Sequence, residues 1–458
     1  MANLLGAIGR IKRDALDALD RSAVERVCGE LGHSWRDRDL DPATTVALFV
    51  QQILHGNVPC SEVRHLAARL NSPKSGGGFT ASAYCQARAR LPLRVIQSLL
   101  TRVCDAALPE THLAEHLWLG RHRVFLIDGS TFSMPDTPAL RKAFGLPTGP
   151  KEGCGFPVAH LLVLFHAQTG LLVDAWASPL HTSDLSQTPE AHLHMDAGDV
   201  LVGDDSFSSY AHLALLVQSN LHALVPVHHL RIVDFTKNRP HCGEGKDVVA
   251  GMPRSRWIKS LGKEDQLVEY FKPPTKALWM TQEQHAALPE SIIVRELRRT
   301  VQRPGLGPVT LTMATTLIDP NIYSAADLLE LRLRRWDVET NLRHLKTTMG
   351  MDVLRCKSED GVRKELAAFC LTYNLVRVVM LEAARRQAAE VARVSFADAL
   401  KWMRHARPQD TLAELMLNPK RPNRAEPRCK KRRPKPFDLM NKPRHELRNG
   451  LKNQWKKA

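Results

Sequence analysis

The 458-residue chain has no CxxC pair, no HExxH motif and no uninterrupted apolar run of about 18 residues. Its nine cysteines are scattered, so neither a zinc clamp nor a disulfide framework is indicated. Thiols of this kind are expected to be reduced, in a cytoplasmic protein. No long apolar segment opens the chain, so neither a signal peptide nor a membrane span is expected. Internal repeats are absent. Acid is scarcer than base, 48 Asp+Glu against 64 Lys+Arg, and the sequence pI is about 9.6.

That excess of base is unevenly spread. From Lys420 to the end there are 15 basic and 3 acidic residues, +12 of the total +16, which leaves +4 for the first 419. The run Lys430-Lys431-Arg432-Arg433 suits an arm that holds phosphates. Pro422, Pro427, Pro434, Pro436 and Pro443 equally give the tail the composition of a solubilising terminus. The remaining length has room for roughly two or three domains with real cores.

Residues 1–116 read as a helical domain. Ser22 with Glu25 has a capping-box pattern, and Asp41-Pro42 that of an N-cap followed by proline at the first helical position. Gly76-Gly77-Gly78 marks a joint. Beyond it, Thr80 to Leu91 and Arg94 to Ala107 predict two short helices meeting at Pro92, with Arg88, Arg90, Arg94 and Arg102 on a basic side. Such a pair suits either DNA recognition or plain helical packing.

From residue 117 strands alternate with helices. Val124 to Ile127 predicts a buried strand ending at Asp128-Gly129. Phe156 to His166 and Leu171 to Ala177 predict a hairpin across Gln168-Thr169-Gly170. Val200 to Val202 is a further strand, ending at Gly203-Asp204-Asp205, with a helix at Tyr210 to Val217 and a strand at Leu224 to Val227.

Between Arg332 and Lys346 there is neither proline nor glycine, and Leu333, Val338, Leu342 and Leu345 recur at roughly helical spacing, which predicts a helix. Arg332, Arg335, Glu339, Arg343 and Lys346 then fall in one stripe, a single carboxylate among four cations. The stripe is either a solvated face or a metal-binding carboxylate beside a polyanion. Asp128, Asp204 and Glu339 together form a set of hard oxygen ligands suited to Mg2+ or Mn2+, the set used for in-line phosphoryl transfer. Each aspartate alone is as readily a turn residue, so the weight lies in the combination.

With these residues the chain resembles bacterial insertion-sequence transposases of the DDE group, in the branch whose last catalytic helix carries a Tyr-Arg-Glu-Lys signature. The matching stretches are Phe125 to Thr131, Pro135 to Pro138 with Phe144-Gly145, Leu201 to Phe207 through Tyr210, Thr315 to Leu317, Arg335 to Thr347, and Val353 to Arg377. They fall across most of residues 20–390.

The resemblance implies an α/β fold, an RNase H-like mixed-sheet catalytic core with a β-rich insertion, preceded by an all-α N-terminal domain. It divides the chain into a helical DNA-binding domain (1–116), the first part of the core (117–227), the β-rich insertion (228–310), the second part of the core with the catalytic helix (311–390), and a C-terminal helical region with basic tail (391–458). It implies that Asp128, Asp204 and Glu339 bind Mg2+ or Mn2+, with Asp205 in reserve for Asp204. Arg335 and Lys346 fall on the signature's basic positions, which in the family contact DNA phosphates. The signature tyrosine falls on Arg332, which can also donate to phosphate; Arg343 shares the stripe. Trp257, among Arg254, Arg256 and Lys259, is the candidate for holding a flipped base, ahead of the more core-like Trp279.

The implied activity is metal-dependent cut-and-paste transposition: hydrolytic cleavage at the element ends, then 3′-OH strand transfer. The implied partners are terminal inverted repeats, target DNA and a second copy of the chain in a synaptic homodimer, with no membrane. The alternatives are a catalytically inactive or domesticated DNA-binding relative and a general metal-dependent nuclease.

Overall fold

The computed structural model describes residues 20–36, 38–69, 78–108, 117–147, 155–242, 251–303, 307–406 and 410–420, with positions 442, 446, 448 and 449. The run Lys430 to Arg433 and the glycines 76 and 77 lie outside the described residues.

Among the described residues five helices come first: α1 (Arg21–Glu30), α2 (Pro42–Leu54), α3 (Cys60–Arg69), α4 (Ala81–Arg90) and α5 (Leu93–Ala107). Asp41 caps α2 as expected, its carboxylate accepting from Thr44 N at 2.7 Å ahead of Pro42. The cap of α1 differs from expectation. Asp20 takes it, accepting from Ala23 N at 2.6 Å, while Ser22 sits inside the first turn and donates to Asp20 at 2.9 Å. A charged carboxylate at a helix N-terminus outcompetes the hydroxyl. The basic side of α4 and α5 is also narrower than the sequence implied. Arg88 turns inward, its guanidinium 3.8 Å from the Phe49 ring centroid and donating to Cys356 Sγ at 2.9 Å.

One nine-stranded sheet follows, made of β1 (Val124–Ser133), β2 (Val158–His166), β3 (Leu172–Pro179), β4 (Val200–Val202), β5 (His222–Pro226), β6 (Arg256–Gly262), β7 (Asp265–Phe271), β8 (Ser291–Arg303) and β9 (Gly307–Thr315). Their spatial order is β3-β2-β1-β4-β5-β9-β8-β7-β6. β1, β4 and β5 are parallel, and every other neighbouring pair is antiparallel. Alternation along the strands divides the core. Leu126, Val163, Phe165 and Val202 face one side, and Phe125, Ile127, Leu162 and Leu201 face the other.

The remaining helices are α6 (Pro138–Phe144), α7 (Thr188–His192), α8 (Tyr210–Gln218), α9 (Gln282–Ala286), α10 (Ala325–Leu333), α11 (Trp336–Arg343), α12 (Glu359–Arg386) and α13 (Phe396–His405). α8 covers the Ile127 side through Leu213, Ala214 and Leu216, and α12 covers the Leu126 side. By length and composition α12 could cross a membrane, but 94% of its apolar window is buried inside the protein, with α2 and α5 packed against it. A helix that is apolar all round is explained by such a central position.

Polar side chains of α12 fix what it touches. Asn374 accepts from Leu172 N at 2.8 Å and donates to Leu172 O at 2.7 Å. Tyr373 Oη donates to Gly170 O at 2.9 Å, and Arg377 donates to Thr169 O. The β2–β3 turn is therefore clamped from below, and Gly170 is required twice over: its φ is +65°, and a Cβ would run into Arg377. At the other end of α12, Glu365 accepts from the backbone of Arg355 and Cys356 and from Asn57 at 2.6 Å, tying the helical segment to the core.

Candidate active site

Asp128 lies within β1, five residues before its end. The strand expected to end at Asp128-Gly129 instead runs on to Ser133 in register with β2. The reason for the glycine is on the opposite side of the sheet. There a Cβ on residue 129 would stand 2.5 Å from Asp184 Oδ1, and Asp184 is itself held by His160 Nε2 at 2.6 Å. Nothing in the sequence around Asp184 points to this contact.

By strand parity Asp128 and Ser130 share the Leu126 side, the side to which α11 delivers Val338 and Leu342. The single helix expected over residues 332–346 is broken. α10 ends at Leu333, the chain turns through Arg334 and Arg335, α11 runs only to Arg343, and His344–Thr348 form a π-helical turn. The break drops Arg335 over β1. Its Nη1 lies 3.4 Å from Asp128 Oδ2, and its Nη2 donates to Glu339 Oε1 at 2.6 Å. The π turn swings Lys346 the same way, where Nζ donates to Ser130 Oγ at 2.8 Å.

Asp204 follows β4, the strand beside β1. It caps the short turn Asp205–Ser208, with Oδ1 accepting from Ser206 N at 2.9 Å and from Ser206 Oγ at 2.5 Å. This leaves Oδ2 for a ligand. His212 Nδ1 donates to Phe207 O at 2.7 Å and braces that turn. Asp205, the reserve candidate, faces His229 at 3.6 Å.

Charge ties these groups together. Burial pushes the Asp128 carboxyl up to about 6; Arg335 opposes the shift, and the nearby negative charges of Asp204 and Glu339 add to it. Arg332 is pulled down to about 10 by burial and by Arg335, against the pull of Asp204, Asp205 and Asp128. Burial also lowers Lys346. Arg332, Arg335 and Lys346 thus surround the acids at close range, whereas Arg343 is exposed at the end of α11.

As placed, no group of three His, Cys, Asp or Glu side chains among the described residues is close enough to hold an ion. The donor set still fits a hard divalent cation. Three carboxylates repel one another across two parallel strands and a helix, and a guanidinium now lies between two of them. None of the described cysteines forms a disulfide.

The model of the family described as "Transposase DDE domain" matches residues 119–375, more than half of the chain and a span that holds all three acids. The chain belongs to the DDE transposases. DNA transposition is its function, and the family implies nuclease and transesterification chemistry with a divalent metal ion. Among known proteins the chain is similar to the transposase InsG for insertion sequence element IS4 of Escherichia coli K12, 26% identical over 377 residues, 80% of this chain and 76% of that protein. It is also similar to the putative transposase InsZ of the same organism, 23% identical over 253 residues, 54% of this chain and 77% of that protein. Among solved structures, a cryo-EM structure of a piggyBac transposase synaptic complex with hairpin DNA aligns with a TM-score of 0.40 and 10% identity over 85% of this chain and 79% of that chain.

The aromatic candidates differ in setting. Trp257 is half-buried on β6 opposite Val268, and its indole N–H is buried without a partner among the described residues. Trp279 packs against the core, as its neighbours implied. Trp336 carries no signal of its own in the sequence beyond its place in the signature block. It stands 52% exposed, with the Arg335 guanidinium 5.6 Å from its ring centroid.

Proposed function

We propose that Asp128, Asp204 and Glu339 are the metal-binding carboxylates of this DNA transposase, with Mg2+ or Mn2+ as the ion. The observation that best supports this reading is the electrostatic coupling of Asp128 to both other acids, with Arg335 bridging two of the three. A divalent ion bound there supplies concentrated positive charge at the scissile phosphate. The chain's own side chains do the positioning. Arg335 and Lys346 stand over Asp128 and Ser130 to receive phosphate oxygens, Arg332 takes the place of the signature tyrosine beside Asp204, and Arg343 extends the cationic strip outward. These four cations and three acids support placement in the branch with the Tyr-Arg-Glu-Lys signature.

The order β3-β2-β1-β4-β5, with its three parallel central strands, supports an RNase H-like core, and β6 to β9 support a β-rich insertion within residues 228–310. The five leading helices are in keeping with a helical DNA-binding domain over 1–116. In our reading a homodimer pairs two element ends, cleaves each hydrolytically and transfers the 3′-OH into target DNA, with Trp257 as a base-stacking candidate.

The test is cleavage of a duplex carrying the terminal repeat that flanks the gene, after EDTA treatment and return of Mg2+ or Mn2+. Asp128→Asn, Asp204→Asn and Glu339→Gln each lose cleavage by at least roughly a thousand-fold while duplex binding persists. Full activity in one of them removes that residue from the centre. Loss in Asp205→Asn with retention in Asp204→Asn moves the ligand by one position.

A further inference from the structure

A cavity of about 400 Å³ opens between the loop that precedes α2 and the C-terminal end of α4. Its floor is apolar, made by Leu40, Pro42, Ala87 and Leu91. His33 and Trp35 form one wall, their rings stacked with centroids 6.2 Å apart. Arg36, Arg38 and Arg90 line it with three guanidinium groups.

The charges here are handled differently from those around them. In the same helical segment Arg21 is paired with Asp41 at 2.7 Å, Arg102 with Glu30 at 2.6 Å, and Arg88 is spent on the Phe49 ring. Among the described residues no carboxylate lines the cavity and no ion pair holds Arg36, Arg38 or Arg90. Trp35 is 38% exposed, an aromatic surface kept in water beside the guanidinium groups that line the cavity. None of these residues belongs to the strands or helices that carry the acids.

An apolar floor, a stacked aromatic wall and a cationic rim match the three parts of a nucleotide: the base faces, the sugar and the phosphate. An acidic peptide would use the rim but not the rings, and a base inside an intact duplex has no free face to offer. The volume falls within the range of about 300–1,000 Å³ usual for small-ligand sites. We propose that this cavity binds one unstacked nucleotide of a DNA strand, its base on Trp35 and its phosphate among Arg36, Arg38 and Arg90. The chain would thus hold unpaired DNA at a second place, apart from the triad.

The experiment uses the full chain, without added metal, and two fluorescein-labelled duplexes that differ only in a single-stranded overhang of several nucleotides. Anisotropy titrations over a salt series give affinity and salt slope. Wild type binds the overhang duplex more tightly than the blunt one. Trp35→Ala removes that preference, a loss of roughly five- to a hundred-fold on the overhang substrate for one stacked base, with blunt-duplex binding unchanged, and Trp35→Phe restores most of it. Replacing Arg36, Arg38 and Arg90 together by Gln lowers the salt slope on the overhang substrate by about two. Because Trp35 and the three arginines are surface residues, thermal unfolding of the variants should match wild type. Preference retained in Trp35→Ala overturns the proposal. So does an arginine variant that weakens both substrates equally while Trp35→Ala has no effect, since that marks a patch for duplex phosphates and no nucleotide site.

Discussion

The two halves of the sheet are held together by different means. In β3-β2-β1-β4-β5 the strand interiors are mainly hydrocarbon on both sides, with Leu126, Val163 and Phe165 on one and Ile127, Leu162 and Leu164 on the other. In β9-β8-β7-β6 charge goes inside. Arg295, 1% exposed, is gripped by Asp265 through two bonds of 2.8 and 2.6 Å and by Tyr323 O at 2.7 Å. On the other side, Glu296 accepts from Tyr270 Oη and Gln266 Nε2, both at 2.8 Å. The apolar half offers a rigid, dry base for Asp128 and Asp204, where each charge is felt strongly. The second half tolerates Arg295 and Glu296 in its interior because each is held by polar partners, Arg295 by Asp265 and Tyr323 O and Glu296 by Tyr270 and Gln266.

The largest stability effect should come from breaking one of those sets. Asp265→Ala leaves Arg295 buried and unpaired and should cost about 3–5 kcal/mol. The double change Asp265→Leu with Arg295→Met removes both charges and should return stability to near wild type or above it. Urea unfolding of both variants checks this. If the single and double variants are equally unstable, packing and not charge holds this half, and the contrast between the halves collapses.

A smaller effect is expected in the apolar half, where the penalty is steric. Gly129→Ala drives a methyl into the Asp184 carboxylate, which must release His160 to make room, at a cost of about 1–3 kcal/mol. Asp128 is the next residue on the strand, so DNA cleavage should fall by more than the stability loss alone accounts for. Unchanged cleavage with reduced stability would separate the glycine from the site.

These contacts mark where the sequence was legible. β4 can be read residue for residue from Val200-Leu201-Val202, and the β2–β3 hairpin from its apolar runs, because local pattern and burial agree there. Asp128, Asp204 and Glu339 stand out in the sequence only in combination, within the stretches that carry the family resemblance. What local pattern misses is decided at long range. Gly129 looks like a turn and is a strand residue, because β1 pairs with β2 through Leu162 and Asp184 fills the space a side chain would need. The break at Arg334–Arg335 has no proline or glycine to announce it; it brings Arg335 to an aspartate 207 residues away. Arg88 looked like surface because nothing near it in sequence reveals Phe49 or Cys356.

The last expectation sharpens the comparison through pH, because the halves carry buried groups of opposite kind. In the apolar half His192 Nε2 and His212 Nε2 are 3.1 Å apart. His212 Nδ1 donates to Phe207 O, so its Nε2 is the acceptor and His192 the donor, and both rings are neutral. Burial pulls His192 down to about 3, helped by His212, and His212 down to about 4. Their contribution is therefore complete above the ordinary histidine value of 6.5 and is lost as pH falls from there toward 4 and 3, as the unfolded chain takes up protons first. Glu296 has the other sign. Burial raises it above the ordinary value of 4.5, so it favours the fold in acid and that contribution is lost as pH rises through its folded value. Thermal unfolding followed from pH 7 to pH 4 should fall less steeply in His192→Leu than in wild type, and more steeply in Glu296→Gln. Parallel curves for all three would mean that neither group is titrating where its burial places it.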